Sequence, residues 1–433
     1  MIAELTLLCA VTTSTESTTS EDLLDDDLVF LGDPEFGMEA GVRTVRSFGR
    51  ILFSYDAALS KRFELDESAP SGRFVGMLGR LLKLAFIDGP MAQTERTLTH
   101  EVFGHGARAR ENGQDPSFQF SLPFPYRWIF DPNVEHGGIA LNGRVDSLES
   151  NIPFVTGGIE SSHLGAWWLS REFFVPRGRA HYSESLVYLI SKVDYANVAF
   201  FGSRNDSANN IDDVHYFIGA LQERFNRWRP EDRSAIEDRL RLAWLWIFTD
   251  PTFWLALWQV GVDHAYLGNR WMSIPTLEVG GFRLYTSTRF DVSPFGAEHY
   301  VDVFASKVDL AELGFYGRVG SSGLASYWGI GGSVFGYELT SGVELAGSVD
   351  VWNQPEILFE HRNVFVRPNV WGANVSLGGT LSVFRGVGVT AKLGVKTRGH
   401  LMGQPVDSGL YGYVGLLLDR ELASAPISPK LHR

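Results

Sequence analysis

Two histidines and a glutamate lie close together in the segment THEVFGHGARARE, residues 99–111. Neutral imidazoles bind zinc, and a neighbouring glutamate can remove a proton from a water molecule that the metal activates. Helices of the H-E-x-x-H type place two such histidines four residues apart, on one face. His100 and His105 are five residues apart, so a regular α-helix would turn them about 140° away from each other. Metal chemistry here therefore depends on how the helix accommodates one extra residue.

One extra residue can be absorbed by a π-bulge, a widened helical turn that often occurs at functional sites. Glycines flank His105 on both sides, and glycine tolerates the altered backbone and the crowding of such a turn. The sequence therefore predicts a bulged helix in which His100 and His105 face one metal ion. Two alternatives remain open. Both histidines could be partly exposed helix residues with Glu101 paired to Arg108, or Glu101 and His105 could share a surface contact at i,i+4 spacing.

The string His100-Glu101-x-x-Gly104-His105 resembles the H-E-x-x-G-H motif of dipeptidyl peptidase III-type zinc peptidases. The resemblance covers these positions and Gly106. It implies a zincin-like helical domain in which His100 and His105 bind Zn²⁺ and Glu101 is the catalytic general base. It also implies a third ligand, a glutamate, on a helix further along the chain.

Glu160 is the first candidate for the third metal ligand, because it follows a Gly-Gly pair near the start of a predicted helix over 159–174. A carboxylate in a first helical turn, set by such a hinge, is a reasonable ligand. His163, one turn later, is an alternative ligand or an outer-sphere partner. Further alternatives are Glu184, on the next predicted helix, and the pair Glu135 and His136.

Composition narrows the functional class. The chain has 433 residues and a formal net charge of −13. This charge argues against a general nucleic-acid binder, because such proteins need an excess of basic residues to bind phosphate groups. The single cysteine, Cys9, excludes an internal disulfide framework and a cysteine-based zinc ribbon. Residues 1–39 are interpreted as a signal or a disordered acidic leader, since an apolar run precedes an acidic, Ser/Thr-rich stretch.

Helical patterns dominate residues 40–272, which we interpret as the hydrolase domain. Residues 117–158 favour loops and short strands, and ARARE at 107–111 is interpreted as a solvated helix face. The apolar segment 240–262 is long enough to cross a membrane, but Asp250-Pro251 in its middle favours two shorter buried helices. Apolar spacing predicts helices at 72–87, 99–111, 159–174, 182–201 and 230–248.

The hydrophobic period changes to two near residue 275. We expect about eight antiparallel strands that form a β-barrel over 273–422, followed by a C-terminal tail at 423–433. Tight turns are expected after the second, fourth and sixth strands, and longer loops after the others. The strands are predicted near 277–290, 297–308, 310–320, 325–339, 342–353, 366–383, 387–399 and 409–420.

Even strand number, with short turns at one end and longer loops at the other, is typical of outer-membrane barrels whose apolar face contacts lipid. A soluble barrel or sandwich with its apolar face inward is the alternative, because the period does not say which face is wet. The hypothesis is a zinc peptidase that acts on a peptide or another amide. The barrel would anchor it in the bacterial outer membrane, with the helical domain in the periplasm. The alternatives are a non-enzymatic outer-membrane barrel with a helical cap or plug, and a soluble two-domain binding protein.

Overall fold

The computed structural model describes twelve stretches of the chain, and the predicted tail at 423–433 lies outside them. Helices dominate the N-terminal part, and a ten-stranded antiparallel sheet is built mainly from the C-terminal part. The predicted α+β class and its order along the chain are therefore confirmed. The described residues are 28–60, 70–126, 129, 138–141, 148–174, 178–196, 213–225, 229–307, 311–323, 325–356, 369–384 and 386–418.

Helices form where apolar residues recur at helical spacing, and three π-helical segments interrupt them, at Leu84–Asp88, Thr99–His105 and Gln259–Tyr266. The α-helices of the described residues are α1 (Met38–Ser60), α2 (Pro70–Lys83), α3 (Gly89–Leu98), α4 (Gly106–Glu111), α5 (Leu148–Phe174), α6 (Tyr182–Lys192), α7 (Asp213–Arg224), α8 (Pro230–Leu245) and α9 (Pro251–Trp258).

The large sheet contains the eight predicted strands as a meander in which each strand pairs with the next, and this prediction is confirmed. These strands are β7 (Phe282–Ser293), β8 (Gly296–Lys307), β9 (Ala311–Ser321), β10 (Ser326–Thr340), β11 (Val343–Pro355), β12 (Asn369–Phe384), β13 (Val387–Lys396) and β14 (Gly409–Leu418).

Shorter strands complete the described structure. They are β1 (Leu28–Gly32) and β6 (Leu277–Val279), which form the two edges of the large sheet, and two separate pairs, β2 (Pro116–Gln119) with β3 (Gly138–Leu141) and β4 (Arg179–His181) with β5 (Trp271–Ser273). No hydrogen-bonded ladder joins β1 to β6 among the described strands, so the sheet is open between these two edge strands.

Strand β1 and the start of α1 lie inside the stretch that we interpreted as a leader, residues 1–39. The apolar sequence LVFLG pairs with β14 at the sheet edge. Helix α1 fastens the other side of β1, because the Ser47 hydroxyl accepts a hydrogen bond from the Val29 amide at 2.8 Å. The described residues begin at Leu28, inside that stretch, and residues 1–27 lie outside them.

The two faces of the sheet differ in polarity. Large apolar side chains such as Trp371, Val375 and Leu377 on β12 are exposed, whereas Asn374 and Ser376 on the same strand are buried. Helices α1 and α5 cover the polar face. Their contacts with it include Glu39 to Lys392 at 2.6 Å, Arg171 to Glu312 at 2.6 Å, and Arg43 to Tyr413 at 3.1 Å. The alternative in which the apolar face points inward is therefore excluded for these strands.

The connection between β7 and β8 is shorter than the longer loop that we expected. Ser293 pairs directly with Gly296, which leaves only two residues in the turn. Phe295 is fully buried against Tyr327, so the turn packs into the interior. Gly296 has φ +141°, and a Cβ atom there would lie 2.7 Å from the Ser322 amide nitrogen. Only glycine fits such a conformation and close approach.

The apolar segment 240–262 is broken at Asp250-Pro251, as we expected. The Asp250 carboxylate caps α9 by accepting a hydrogen bond from the Thr252 amide at 3.0 Å, which satisfies one of the free donors at the helix start. The helices are not both buried as predicted: Trp254 and Trp258 on α9 are exposed, while Trp244 on α8 is fully buried. No helix of the described residues is long and apolar enough to cross a membrane.

Helix α5 begins eleven residues before the predicted start at 159, with Leu148. Pro153 lies within it, where a proline removes one backbone hydrogen bond and normally disfavours a helix. The buried residues Ile152, Val155 and Ile159 belong to the main core, so packing offsets that cost. This extension brings residues 152–162 of α5 alongside the candidate motif.

Candidate metal centre

The segment that carries the two histidines is π-helical from Thr99 to His105, so the predicted bulge is confirmed. The wider turn compensates for the extra residue and brings the imidazoles to the same side. Nε2 of His100 and Nε2 of His105 are 3.2 Å apart. His100 is 1% exposed and His105 is 4% exposed, which excludes the alternative of partly exposed surface histidines.

A carboxylate from α7 completes a triangle with the two imidazoles. Oδ2 of Asp213 lies 3.1 Å from Nε2 of His100 and 3.1 Å from Nε2 of His105. Tetrahedral zinc, with bonds of about 2.0–2.1 Å, places its ligand atoms about 3.3 Å apart. His100, His105 and Asp213 therefore form a group that could hold a metal ion, and three such ligands leave a fourth position for water or substrate.

The other nitrogen of each ring has its own partner. Nδ1 of His100 lies 3.1 Å from the Asp194 carboxylate, and Nδ1 of His105 lies 2.7 Å from the Phe154 carbonyl oxygen. Both acceptors require the proton on Nδ1, which leaves a lone pair on Nε2, toward the centre of the triangle. Metal-binding histidines usually have such outer partners, which fix the tautomer and orient the ring.

Asp194 is itself held in the charged state. Burial alone would raise the pKa of its carboxyl group, but the Arg96 guanidinium and His100 hold that pKa well below its usual range. Tyr195, the next residue, stacks on His100 with ring centroids 5.6 Å apart. Its φ of +57° is rare for a bulky residue, and strained backbone of this kind is concentrated at functional sites.

Without a metal ion, the negative charge of Asp213 favours the protonated form of His105. Burial alone would lower the pKa of His105, but the charge and hydrogen bond of Asp213 raise that pKa to about 9. Burial alone would raise the pKa of Asp213, but the two nearby histidines outweigh this effect and hold that pKa well below its usual range. A metal ion must therefore displace a proton from His105 at neutral pH, so its affinity rises with pH.

Glycines allow α5 to approach the histidines. A Cβ atom at position 158 would lie 2.6 Å from Nε2 of His105 and even closer to the ring of His100. A Cβ atom at position 104 would lie 2.6 Å from the Gly157 carbonyl oxygen. The glycine that we expected to relieve strain in the bulge thus also permits close packing of two helices.

Glu101 is 8% exposed, and its carboxylate accepts no hydrogen bond among the described residues. Its charge acts on both His105 and Arg96, so the carboxylate is near the metal-binding group. It does not pair with Arg108, which excludes that alternative. A carboxylate beside a metal-binding group, with no hydrogen-bond partner in the described part of the chain, is suited to accept a proton from water.

Glu160, the expected third ligand, lies in a different polar cluster. Its carboxylate accepts hydrogen bonds from Nη2 of Arg108 at 2.5 and 2.7 Å and from the Gly403 amide at 2.8 Å. Arg108 is 1% exposed, so this part of ARARE is buried and is not the solvated face that we expected. Bidentate pairing uses the lone pairs that a metal would need.

Neither His163 nor Glu184 belongs to the triangle. His163 lies 3.3 Å from the Asp291 carboxylate, and Glu184 accepts a hydrogen bond from Arg50 at 2.9 Å. Glu135 and His136 lie outside the described residues. The structure therefore brings together the two predicted histidines and Glu101, but replaces Glu160 by Asp213.

Sequence reasoning missed Asp213 and Asp194. Asp213 is the first residue of α7 and follows an acidic, Asn-rich stretch of sequence. Asp194 lies two residues after the end of α6. An acidic residue in a first helical turn is common because it interacts favourably with the helix dipole, and an Asp after a helix is ordinary, so the sequence offers no specific signal for either.

Comparison with known proteins yields no relative. No family model matches the chain, and no curated protein or solved structure matches it. Function must therefore be argued from the geometry of the site.

Proposed function

We propose that the protein is a zinc-dependent hydrolase that cleaves a peptide or another amide, with Glu101 as general base. The observation that carries the proposal is the triangle of His100, His105 and Asp213, whose ligand atoms are 3.1–3.2 Å apart. Two imidazoles and one carboxylate are a ligand set of catalytic zinc sites, which keep one position open.

The donor types favour zinc among the common metals. Imidazole nitrogen suits zinc, copper, iron and nickel, whereas calcium and magnesium prefer sites made entirely of oxygen. The pairing of both Nδ1 atoms to outer acceptors also fits a metal on Nε2. A tetrahedral arrangement matches the nearly equal separations.

Bound zinc would supply a Lewis acid that lowers the pKa of water and polarises the substrate carbonyl. Glu101 then accepts the proton of the attacking water and delivers it to the departing amine. Asp194 and the Phe154 carbonyl group keep both imidazoles in the required tautomer. The choice of a peptide or other amide rests on the resemblance of residues 100–105 to the H-E-x-x-G-H motif.

Replacement of Glu101 by glutamine tests this proposal. The variant is expected to keep its zinc and to lose about 10²–10⁴-fold in turnover, since general-base catalysis contributes that much. The zinc-loaded protein is incubated with a mixed peptide library, and mass spectrometry of the cleavage products measures turnover. Asp238→Asn is the control, because Asp238 is exposed and pairs with the exposed Arg241 on α8. Unchanged turnover in Glu101→Gln, or no cleavage by the zinc-loaded wild type, would contradict the proposal.

We also propose that the outward face of the sheet contacts lipid in the bacterial outer membrane, with the sheet curved toward a barrel and the helical part in the periplasm. The support is the row of exposed apolar side chains on successive strands, among them Phe315, Val319, Ile330, Val349, Leu377 and Leu393. Single exposed apolar residues are ordinary, but a continuous apolar surface marks a binding or membrane face. Dependence of solubility on detergent checks this, and a monodisperse protein in plain buffer would contradict it.

The alternative is a membrane protein without enzymatic activity, in which helices fill the concave side of the sheet. The contacts of α1 and α5 with the polar sheet face favour it. Zinc binding and Glu101-dependent cleavage distinguish the hydrolase from this alternative.

A further inference from the structure

A second cavity lies apart from the metal centre. It has a volume of about 950 Å³ and is enclosed by α1, α5 and the inward face of strands β8–β14. Small-molecule sites commonly have volumes of 300–1,000 Å³. The residues that would bind the metal, His100, His105 and Asp213, do not line it. Exposed Gly336 and Glu344 are among its lining residues, so it communicates with solvent beside the β10–β11 turn.

Small side chains keep this cavity open. Where β7–β9 face inward, bulky residues such as Arg289, Tyr300 and Phe304 are buried. On β10–β13 the inward wall instead carries hydroxyl groups, from Ser333, Ser348, Ser376, Thr380 and Thr390. The opposite wall, on α5, presents Trp167 and Trp168. One wall thus offers hydrogen bonds, and the other offers aromatic faces.

The charge of the cavity is opposite to that of the chain. Seven cationic and five acidic side chains line it, whereas the whole protein has a formal charge of −13. Most of these cations pair with carboxylates: Lys392 with Glu39 at 2.6 Å, Arg171 with Glu312 at 2.6 Å, Arg289 with Asp302 at 2.8 Å, and Arg46 and Arg50 with Glu172 at 2.7 and 2.5 Å.

Arg43 differs from these cations. Nη1 of Arg43 donates to the Tyr413 hydroxyl at 3.1 Å, and the guanidinium lies 4.7 Å from the Trp168 ring centre. No carboxylate of the described residues lies within ion-pair distance of it, although its charge acts on Glu39, which pairs with Lys392. A half-buried guanidinium, held by an aromatic ring, retains donors in the fork that binds carboxylate or phosphate.

We propose that this cavity binds a small hydroxylated anion, a sugar phosphate or sugar acid, with its anionic group on Arg43 and its hydroxyl groups on the serine and threonine wall of β10–β13. Hydroxyl-rich ligands need many hydrogen-bond partners when buried, and this wall supplies them. The anion would neutralise the guanidinium that lacks an ion pair. This site does not depend on the metal centre, so either proposal can fail alone.

Titration calorimetry of the full chain tests this proposal with glucose 6-phosphate, glucuronate, glucose and inorganic phosphate as probes. At least one sugar anion is expected to bind at least about tenfold more tightly than glucose, since charge-assisted hydrogen bonds contribute that much. It should also bind at least about tenfold more tightly than inorganic phosphate, because only the sugar reaches the hydroxyl wall. No binding up to about 10 mM, or equal affinity for inorganic phosphate, would overturn the proposal.

Variants tie the binding to the cavity. Arg43→Gln is expected to weaken binding of the sugar anion at least about tenfold. Arg241→Gln changes a residue on the exposed side of α8 and should leave the affinity unchanged. Ala346→Phe provides a second test, because Ala346 lines the cavity and the larger ring would occupy it. Circular dichroism verifies that each variant is folded. Undiminished binding in both folded cavity variants would overturn the assignment.

Discussion

Replacing Asp213 with alanine is expected to reduce bound zinc from about one ion per chain to almost none. Loss of an outer-sphere partner typically costs 10–100-fold in metal affinity, so loss of a ligand should exceed about 100-fold. The geometric reason is that Oδ2 of Asp213 is equidistant, at 3.1 Å, from both imidazole nitrogens. Elemental analysis after dialysis against a low concentration of zinc measures the change.

Two matched variants control this experiment. Glu223→Ala removes an exposed carboxylate from the same helix, α7, and should leave the zinc content unchanged. Glu160→Gln removes the carboxylate that the sequence favoured as a ligand and should also keep the metal, because that carboxylate binds Arg108. Zinc loss in Glu160→Gln together with zinc retention in Asp213→Ala would reverse the assignment.

Replacing Arg108 with methionine is expected to destabilise the protein by about 3–5 kcal/mol, which is typical when one partner of a buried ion pair is removed. Arg108 is 1% exposed and Glu160 is fully buried, and Arg108 also pairs with Glu111 at 2.9 Å, so the variant leaves two carboxylates without their main counter-ion. Burial alone would raise the pKa of Glu160. The positive charge of Arg108 outweighs this effect, and the pKa of Glu160 is lowered to about 2. Denaturant unfolding, followed by circular dichroism, measures the loss.

The double variant Arg108→Met with Glu160→Gln identifies the cause. It should recover part of the lost stability, since it removes the unpaired charge of Glu160, while Glu111 still lacks Arg108. Glutamine also keeps an acceptor for the Gly403 amide, which donates to Glu160 at 2.8 Å. A double variant as unstable as Arg108→Met would show that Arg108 acts through packing instead.

The sequence predicted the parts of the molecule that local pattern determines. The period-two strands from β7 to β14, the break at Asp250 and the π-helical turn at 99–105 follow from neighbouring residues. Alternation of apolar and polar residues could not tell which face of the sheet points outward. The outcome depends on α1 and α5 covering the polar face, and residues such as Glu39 and Lys392 that join them are 353 positions apart.

The third ligand could not be predicted for a similar reason. Asp213 meets His100 across 113 residues of sequence, and nothing in its neighbourhood marks it as a ligand. Glu160 had a favourable local setting, on the helix that packs against the histidines. The buried Arg108, which was predicted to lie on a solvated helix face, donates hydrogen bonds to the Glu160 carboxylate instead. Competition between partners for one carboxylate is decided by the folded structure.

The position of zinc in crystals of the metal-loaded protein tests the central claim most directly. An anomalous difference map collected at the zinc absorption edge is predicted to show one peak about 2.0–2.1 Å from Nε2 of His100, Nε2 of His105 and Oδ2 of Asp213. A peak beside Glu160 or His163, or no peak after zinc has been supplied, would contradict the account.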